Sequence, residues 1–249
     1  MKQMFLAACF VLLGCEAQDK AAPEKMKEII EPVNYAEKAT PIEQVHMEQH
    51  KERVLLDVPL IKQNPELKFG CEVTSLAMVL QSAGFNVDKM TLAHQIAKDP
   101  DPVVKSRSGD IVKWGNPDHG FVGDITGRSM GYAVSAGPTE KLMKKYLPKR
   151  TVNLTGKPFD ELLNQLGRGK PVLVWTTGDY KLPDRLESWK HGSETIKAPL
   201  DLHAVVLVGY DPQNVYVNDP LSGRKAHKVN KRVFLGSWKA LRKQALSYN

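Results

Sequence analysis

Cysteine is scarce in this chain: 249 residues carry three, at positions 9, 15 and 71. Two of them fall in the first fifteen residues, so Cys71 has no partner for a disulfide and a stapled scaffold is excluded. Long apolar runs are lacking too. The longest, over residues 4–13, is well short of the ~18 residues that a membrane-spanning helix requires. No internal repeat or low-complexity segment stands out, which argues against a solenoid. Charge of one sign is not gathered into blocks either. The formal net charge is +7, but the basic residues are spread, densest at 141–150 and 225–232, and no nucleic-acid-binding motif accompanies them. We therefore expect no nucleic-acid partner and read these lysines as a solvated face.

What is present begins with a leader. Met1-Lys-Gln-Met-Phe-Leu-Ala-Ala-Cys-Phe-Val-Leu-Leu-Gly14-Cys15 carries one positive charge and then a short apolar stretch. Its end, Leu12-Leu13-Gly14-Cys15, resembles a bacterial lipoprotein signal, in which the cysteine is acylated after cleavage before it. The expectation is a signal peptide over 1–14 and a lipid at Cys15. The protein would then be exported and face outward from the cell membrane, or be secreted. Residues 15–53 read as a tether. They are rich in Lys, Glu, Gln and Pro and too poor in large apolar residues to offset the entropy of ordering. His46 and His50 lie one helical turn apart, but no third ligand is near, so no metal and no cofactor is expected. From Val54 onward the chain is long enough for one domain with a sizeable core, expected to be monomeric.

The order of elements in that domain is mixed. A short strand at 54–60 leads into a Pro- and Gly-punctuated loop, and an apolar-periodic helix begins near Cys71 and ends near Gly84. Asp88 is placed to cap a helix running to about Lys98. Residues 99–137 are loop-rich. A helix at 138–147, a strand at 150–154, a helix at 158–167 and a buried-type strand at 171–176 follow. Past 180 the pattern turns to strands, with 202–210 and 215–218 joined by Asp211-Pro-Gln-Asn214 as a hairpin. A strand at 224–229 and a closing helix at 233–245 finish the chain. Helices precede antiparallel strands, which indicates an α+β fold.

Cys71 falls where loop becomes helix, a place at which free backbone N–H groups and the helix dipole favour a thiolate. His203 lies in the apolar strand Leu202-His-Ala-Val-Val-Leu-Val-Gly-Tyr210, where a histidine is costly to bury without a partner. Asp219 ends the next strand, and in a hairpin it reaches the imidazole from the side away from Cys71. By strand alternation Asn218 points the other way. Gln63, in the loop before Cys71, can donate to an oxyanion together with the Cys71 backbone N–H. Read singly, His203 is most simply a satisfied core histidine, Asp219 a turn former and Gln63 an ordinary loop residue. Their order, Gln, Cys, His, Asp, is what points to thiol catalysis.

These stretches resemble the papain-like cysteine peptidases, and within them bacterial domains similar to the double-glycine (bacteriocin-processing) peptidases. The resemblance rests on Val58-Pro59 through Gln63, Gly70-Cys71-Glu72-Val-Thr-Ser-Leu-Ala-Met-Val-Leu80, Gly115-Asn-Pro through Gly123, His203 through Tyr210, and Asn218-Asp219-Pro220. His203 follows Cys71 at the ~130–150-residue separation of papain-type enzymes. The resemblance implies a papain-like α+β fold, a helical first half bearing the nucleophile and an antiparallel sheet second. It implies hydrolysis of a peptide or protein by Cys71, His203 and Asp219, with Gln63 in the oxyanion hole. It departs from the transporter-linked members because Glu72 replaces their Asp-Cys-Gly context and no membrane or ATPase region follows, so their substrate does not carry over. Two other readings stay open: a catalytically idle binding module, and an amidase or acyltransferase using the same triad.

Overall fold

The core is organised around a strand that is apolar on both faces. The structure, a computed structural model, describes residues 51–249. The signal peptide over 1–14, Cys15 and nearly all of the tether expected over 15–53 lie outside the described residues. The chain enters through the short strand β1 (Val54–Leu55) and, after a loop, forms helix α1 (Cys71–Ser82) and helix α2 (Lys89–Gln95). Short strands β2 (Lys98–Asp99), β3 (Val104–Lys105), β4 (Ile111–Lys113) and β5 (Phe121–Val122) occupy the loop-rich stretch. Then come α3 (Ala136–Tyr146), β6 (Thr151–Asn153), α4 (Phe159–Gly167) and β7 (Val172–Thr177). Strands β8 (Glu187–His191), β9 (Glu194–Ala198), β10 (Leu202–Tyr210), β11 (Asn214–Asp219) and β12 (Arg224–Asn230) follow. Helix α5 (Lys231–Ala240) and strand β13 (Ala245–Tyr248) close the chain.

The main sheet runs β12-β11-β10-β7-β13-β6, with β1 also paired to β10, and every pairing in it is antiparallel. Alternate residues of β10 serve two different cores. Ala204, Val206 and Val208 pack with α1 residues such as Leu76 and Val79, whereas Val205 and Leu207 pack with Leu162 of α4 and Phe234 and Trp238 of α5. Cover on both faces is why β10 reads as an unbroken apolar run rather than an alternating one. Helix α1 is itself buried from Cys71 to Leu80, as expected of a helix apolar nearly all round. A third cluster, built on Trp114, Tyr132 and Trp189, holds the separate sheet β3-β4-β8-β9.

Several sequence expectations need correction. Strand β1 covers two residues rather than 54–60. Asp88 does cap α2, its carboxylate accepting from the Thr91 N–H at 2.8 Å, but the helix stops at Gln95. Ile96 turns extended and is buried, and Lys98–Asp99 pair in parallel with β5. Helix α3 starts two residues before Pro138. The closing helix ends at Ala240 rather than 245, and the chain returns as β13 between β7 and β6. That reversal places Arg242 and Lys243 at φ of 64° and 52°, a left-handed conformation that composition does not announce for long basic residues. Asp118 holds Arg242 through two hydrogen bonds of 2.8 and 2.7 Å, and Ser135 adds a third. The β8–β9 hairpin turns at Gly192, where φ is 56°, and a Gly-Ser pair fits a two-residue hairpin turn.

Candidate thiol site

Three of the four residues singled out by sequence line one cleft of about 460 Å³: Gln63, Cys71 and His203. The fourth, Asp219, lies behind His203. The β10–β11 hairpin is antiparallel, so the end of β11 comes beside the start of β10. There His203 Nε2 and Asp219 Oδ1 are 2.8 Å apart, both residues buried. Asn218 points elsewhere: its Nδ2 donates to the Val58 carbonyl at 3.0 Å and its Oδ1 accepts from the Ala226 N–H at 2.9 Å. The alternation expected for Asn218 and Asp219 therefore holds.

Asp219 is deeply anchored. Oδ2 accepts from the Ser222 hydroxyl at 2.6 Å and from Tyr180 Oη–H at 3.1 Å, and Oδ1 accepts from the Leu221 N–H at 2.9 Å. Burial works against its ionisation. The hydrogen bond and charge of His203, followed by the Ser222 and Leu221 donors, outweigh that and hold the carboxyl well below the usual range. An anion fixed in this way orients the ring and favours imidazolium. Tyr180 and Ser222 belong to this set, and nothing in their local sequence singled them out.

Cys71 is the first residue of α1, after Gly70. The helix is fastened to the histidine strand by Ser75, whose hydroxyl donates to the Ala204 carbonyl at 3.1 Å. The electrostatics differ from the sequence expectation of a stabilised thiolate. Burial pushes the Cys71 thiol well above its ordinary value, and the adjacent Glu72 carboxylate pushes it further. Cys71 Sγ donates to Glu72 Oε2 at 3.3 Å, and Glu72 Oε1 accepts from the Val134 N–H at 2.9 Å. Glu72 is itself fully buried, and desolvation raises it to about 7. Any gain from the helix terminus, of order 1 kcal/mol, is smaller than these opposing effects. Glu72 was noted in the sequence only as a departure from a motif. An acid in the first turn of a largely apolar helix is the signal the sequence offers.

Gln63 sits on the cleft wall with its backbone N–H donating to the Pro220 carbonyl at 2.9 Å, which ties the loop to the end of β11. Its Nε2 donates to the Lys68 carbonyl at 2.8 Å. A carboxamide nitrogen carries two N–H groups, so this bond fixes the side chain while leaving one donor. The remaining wall includes Phe69, Met130, Tyr132, Leu200, Asp201 and Leu221.

The chain is similar to known proteins. A family model described as the Peptidase_C39 like family matches residues 55–246. The Uncharacterized protein YvpB of Bacillus subtilis (strain 168) is 40% identical over 193 residues, covering 77% of this chain and 74% of that protein. The crystal structure of a candidate C39-like peptidase from Bacillus anthracis superposes with a TM-score of 0.71 at 42% identity, covering 80% of this chain and 98% of that one. The fold is thus the papain-like α+β fold that the resemblance implied. The chain belongs to the Peptidase_C39 like family of papain-like cysteine peptidase domains.

Proposed function

We propose that the protein is a cysteine peptidase acting on peptide bonds through Cys71, His203 and Asp219, with Gln63 as an oxyanion donor. The observation that carries this reading is the 2.8 Å His203–Asp219 bond beside a cleft lined by Cys71, His203 and Gln63. With Nε2 engaged by Asp219, Nδ1 is the nitrogen left to take the thiol proton. Cys71 Sγ then attacks the scissile carbonyl, a C–S bond forms, and the carbonyl electron pair moves onto oxygen, toward the Cys71 backbone N–H and Gln63 Nε2. His203 gives its proton to the leaving amine as the C–N bond breaks. Water next attacks the acyl-enzyme while His203 removes its proton, and the thiol departs with the proton returned. Family membership implies a protein or peptide substrate.

The Cys71–Glu72 hydrogen bond favours a second reading, a binding module that keeps the fold with an inert thiol. Labelling of the full chain with a peptidyl electrophile, wild type against Cys71→Ala, separates the two. Labelling confined to the wild type supports the peptidase, and none in either sinks it. An acyltransferase using the same triad would be separated from a hydrolase, peptidase or amidase, by its products: acyl transfer to an added amine acceptor in place of hydrolysis. We further propose that the domain is exported and held at the membrane by a lipid on Cys15.

A further inference from the structure

Away from the thiol cleft, the described residues bring together a second group of chemically capable side chains: Asp99 at the end of β2, His119 in the 116–120 turn, and His191 at the end of β8. One ligand atom from each lies within 4.8 Å of the others. Asp99 Oδ2 is 3.1 Å from His191 Nε2 and 3.8 Å from His119 Nδ1. With metal–ligand bonds of about 2.0–2.2 Å, a tetrahedral zinc ion needs donor–donor separations of about 3.4 Å. These two separations straddle that value.

The donors are also held. Asp99 Oδ1 accepts from the Asp101 N–H at 3.0 Å and Oδ2 from the Asn116 N–H at 3.1 Å. A Cβ at Gly115 would fall 2.8 Å from Asp99 Oδ1, so only glycine lets the loop come this close. In the turn, the Asn116 carbonyl accepts from the His119 N–H at 2.9 Å, and Asn116 Nδ2 donates to Glu194 Oε2 of β9 at 3.0 Å. The His119 side chain is 57% exposed, which gives an ion a path in. Asp101 Oδ2, 3.9 Å from His191 Nε2, or a water molecule can fill the fourth corner.

Two imidazoles and a carboxylate that bring one ligand atom each within 4.8 Å of the others are an ordinary zinc donor set. We propose that Asp99, His119 and His191 form a zinc site. It joins three segments distant in sequence and closes the β8–β9 hairpin onto the domain. That hairpin leads directly into Leu200 and Asp201 of the cleft wall, so the site is structural and steadies one side of the cleft.

The test is zinc titration of the chelator-stripped full chain by calorimetry, with melting temperature followed in parallel. Because Cys9, Cys15, Cys71, His46 and His50 could also take zinc, the background protein has each of these five residues changed to Ala. One equivalent should bind there and raise the melting temperature. His119→Ala and Asp99→Asn should each weaken binding at least about tenfold. His119 is exposed, so its variant should melt like the parent without metal. Cobalt in place of zinc should give a d–d spectrum lacking thiolate charge transfer. Unchanged affinity in His119→Ala and Asp99→Asn, loss of binding in the background protein, or no saturable binding would each overturn the proposal.

Discussion

Burial raises the Cys71 thiol and Glu72 adds to it, and the titration of Glu72 itself makes its share testable. Between its unfolded value near 4.5 and about 7 the folded protein keeps this carboxyl protonated, whereas the unfolded chain releases the proton. Stability therefore falls as pH rises through that window. At ~1.4 kcal/mol per pKa unit the loss is about 3 kcal/mol. Denaturant unfolding from pH 4.5 to 7.5 should show this slope, flattened in Glu72→Gln. Glu72→Gln should also move the pH midpoint of Cys71 alkylation downward, because the amide removes a negative charge beside the sulfur. An unmoved midpoint would mean that burial alone holds the thiol. Asp219 and Asn218 should separate in the opposite sense. Asn218→Ala strips partners from buried groups of the Val58 and Ala226 backbone and should cost about 1–3 kcal/mol of stability while sparing turnover per folded molecule. Asp219→Asn should lower turnover per folded molecule about 10²-fold or more, because an amide does not stabilise imidazolium, and it should also lower the melting temperature because its amide group faces donors that the carboxylate accepts. Equal kinetic loss in both would sink the role given to Asp219. Cys71, His203 and Asp219 were legible because chemical type, chain order and position at element ends survive in a linear string. Glu72, Tyr180 and Ser222 were not, because their significance is a matter of which donor or acceptor faces them.

At the scale of elements, the thiol site is a junction between α1 and the β10–β11 hairpin. Ser75 is the side-chain hydrogen bond between the helix and the first residues of β10. Ser75→Ala leaves a buried carbonyl without that donor, and about 1–2 kcal/mol should be lost. If the junction sets the approach of Cys71 to His203, the alkylation rate of Cys71 should also change, with the thermal loss reproduced by no shift in substrate KM. A wild-type alkylation profile in a destabilised Ser75→Ala protein would show that the bond is purely structural. Elements with strong periodicity or a clear cap, α1, α2, α4, β7 and β10, were readable from residues alone. The failures have local physical causes. Helix α5 stops where Asp118 and Ser135, far upstream, capture Arg242. Strands β2 to β5 are two or three residues long and are defined only by their partners. The metal-capable group shares this property, for Asp99, His119 and His191 have no spacing that a sequence pattern can register.

On the scale of the whole molecule, α4 and α5 on one face and α1 on the other leave no open face on the central strands, so the domain should stand without the preceding residues. A chain beginning near Val54 should keep its melting temperature and its Cys71 reactivity, and loss of either would show that the upstream segment belongs to the fold. Among the described residues no helix is long and apolar enough to cross a membrane. For the proposed lipid anchor, Cys15→Ser should shift the protein from membrane to soluble fractions, and absence of lipid mass on the mature membrane-bound chain would refute the anchor. The pairing of β1 with β10 adds a directional consequence. Val54 lies opposite Tyr210, whereas His203 sits at the other end of the same strand. Seven residues of extended chain span about 23 Å. The described backbone thus enters the domain beside the end of β10 that is far from His203, so a handle attached just ahead of β1 would pull on the opposite end of that strand from the thiol site.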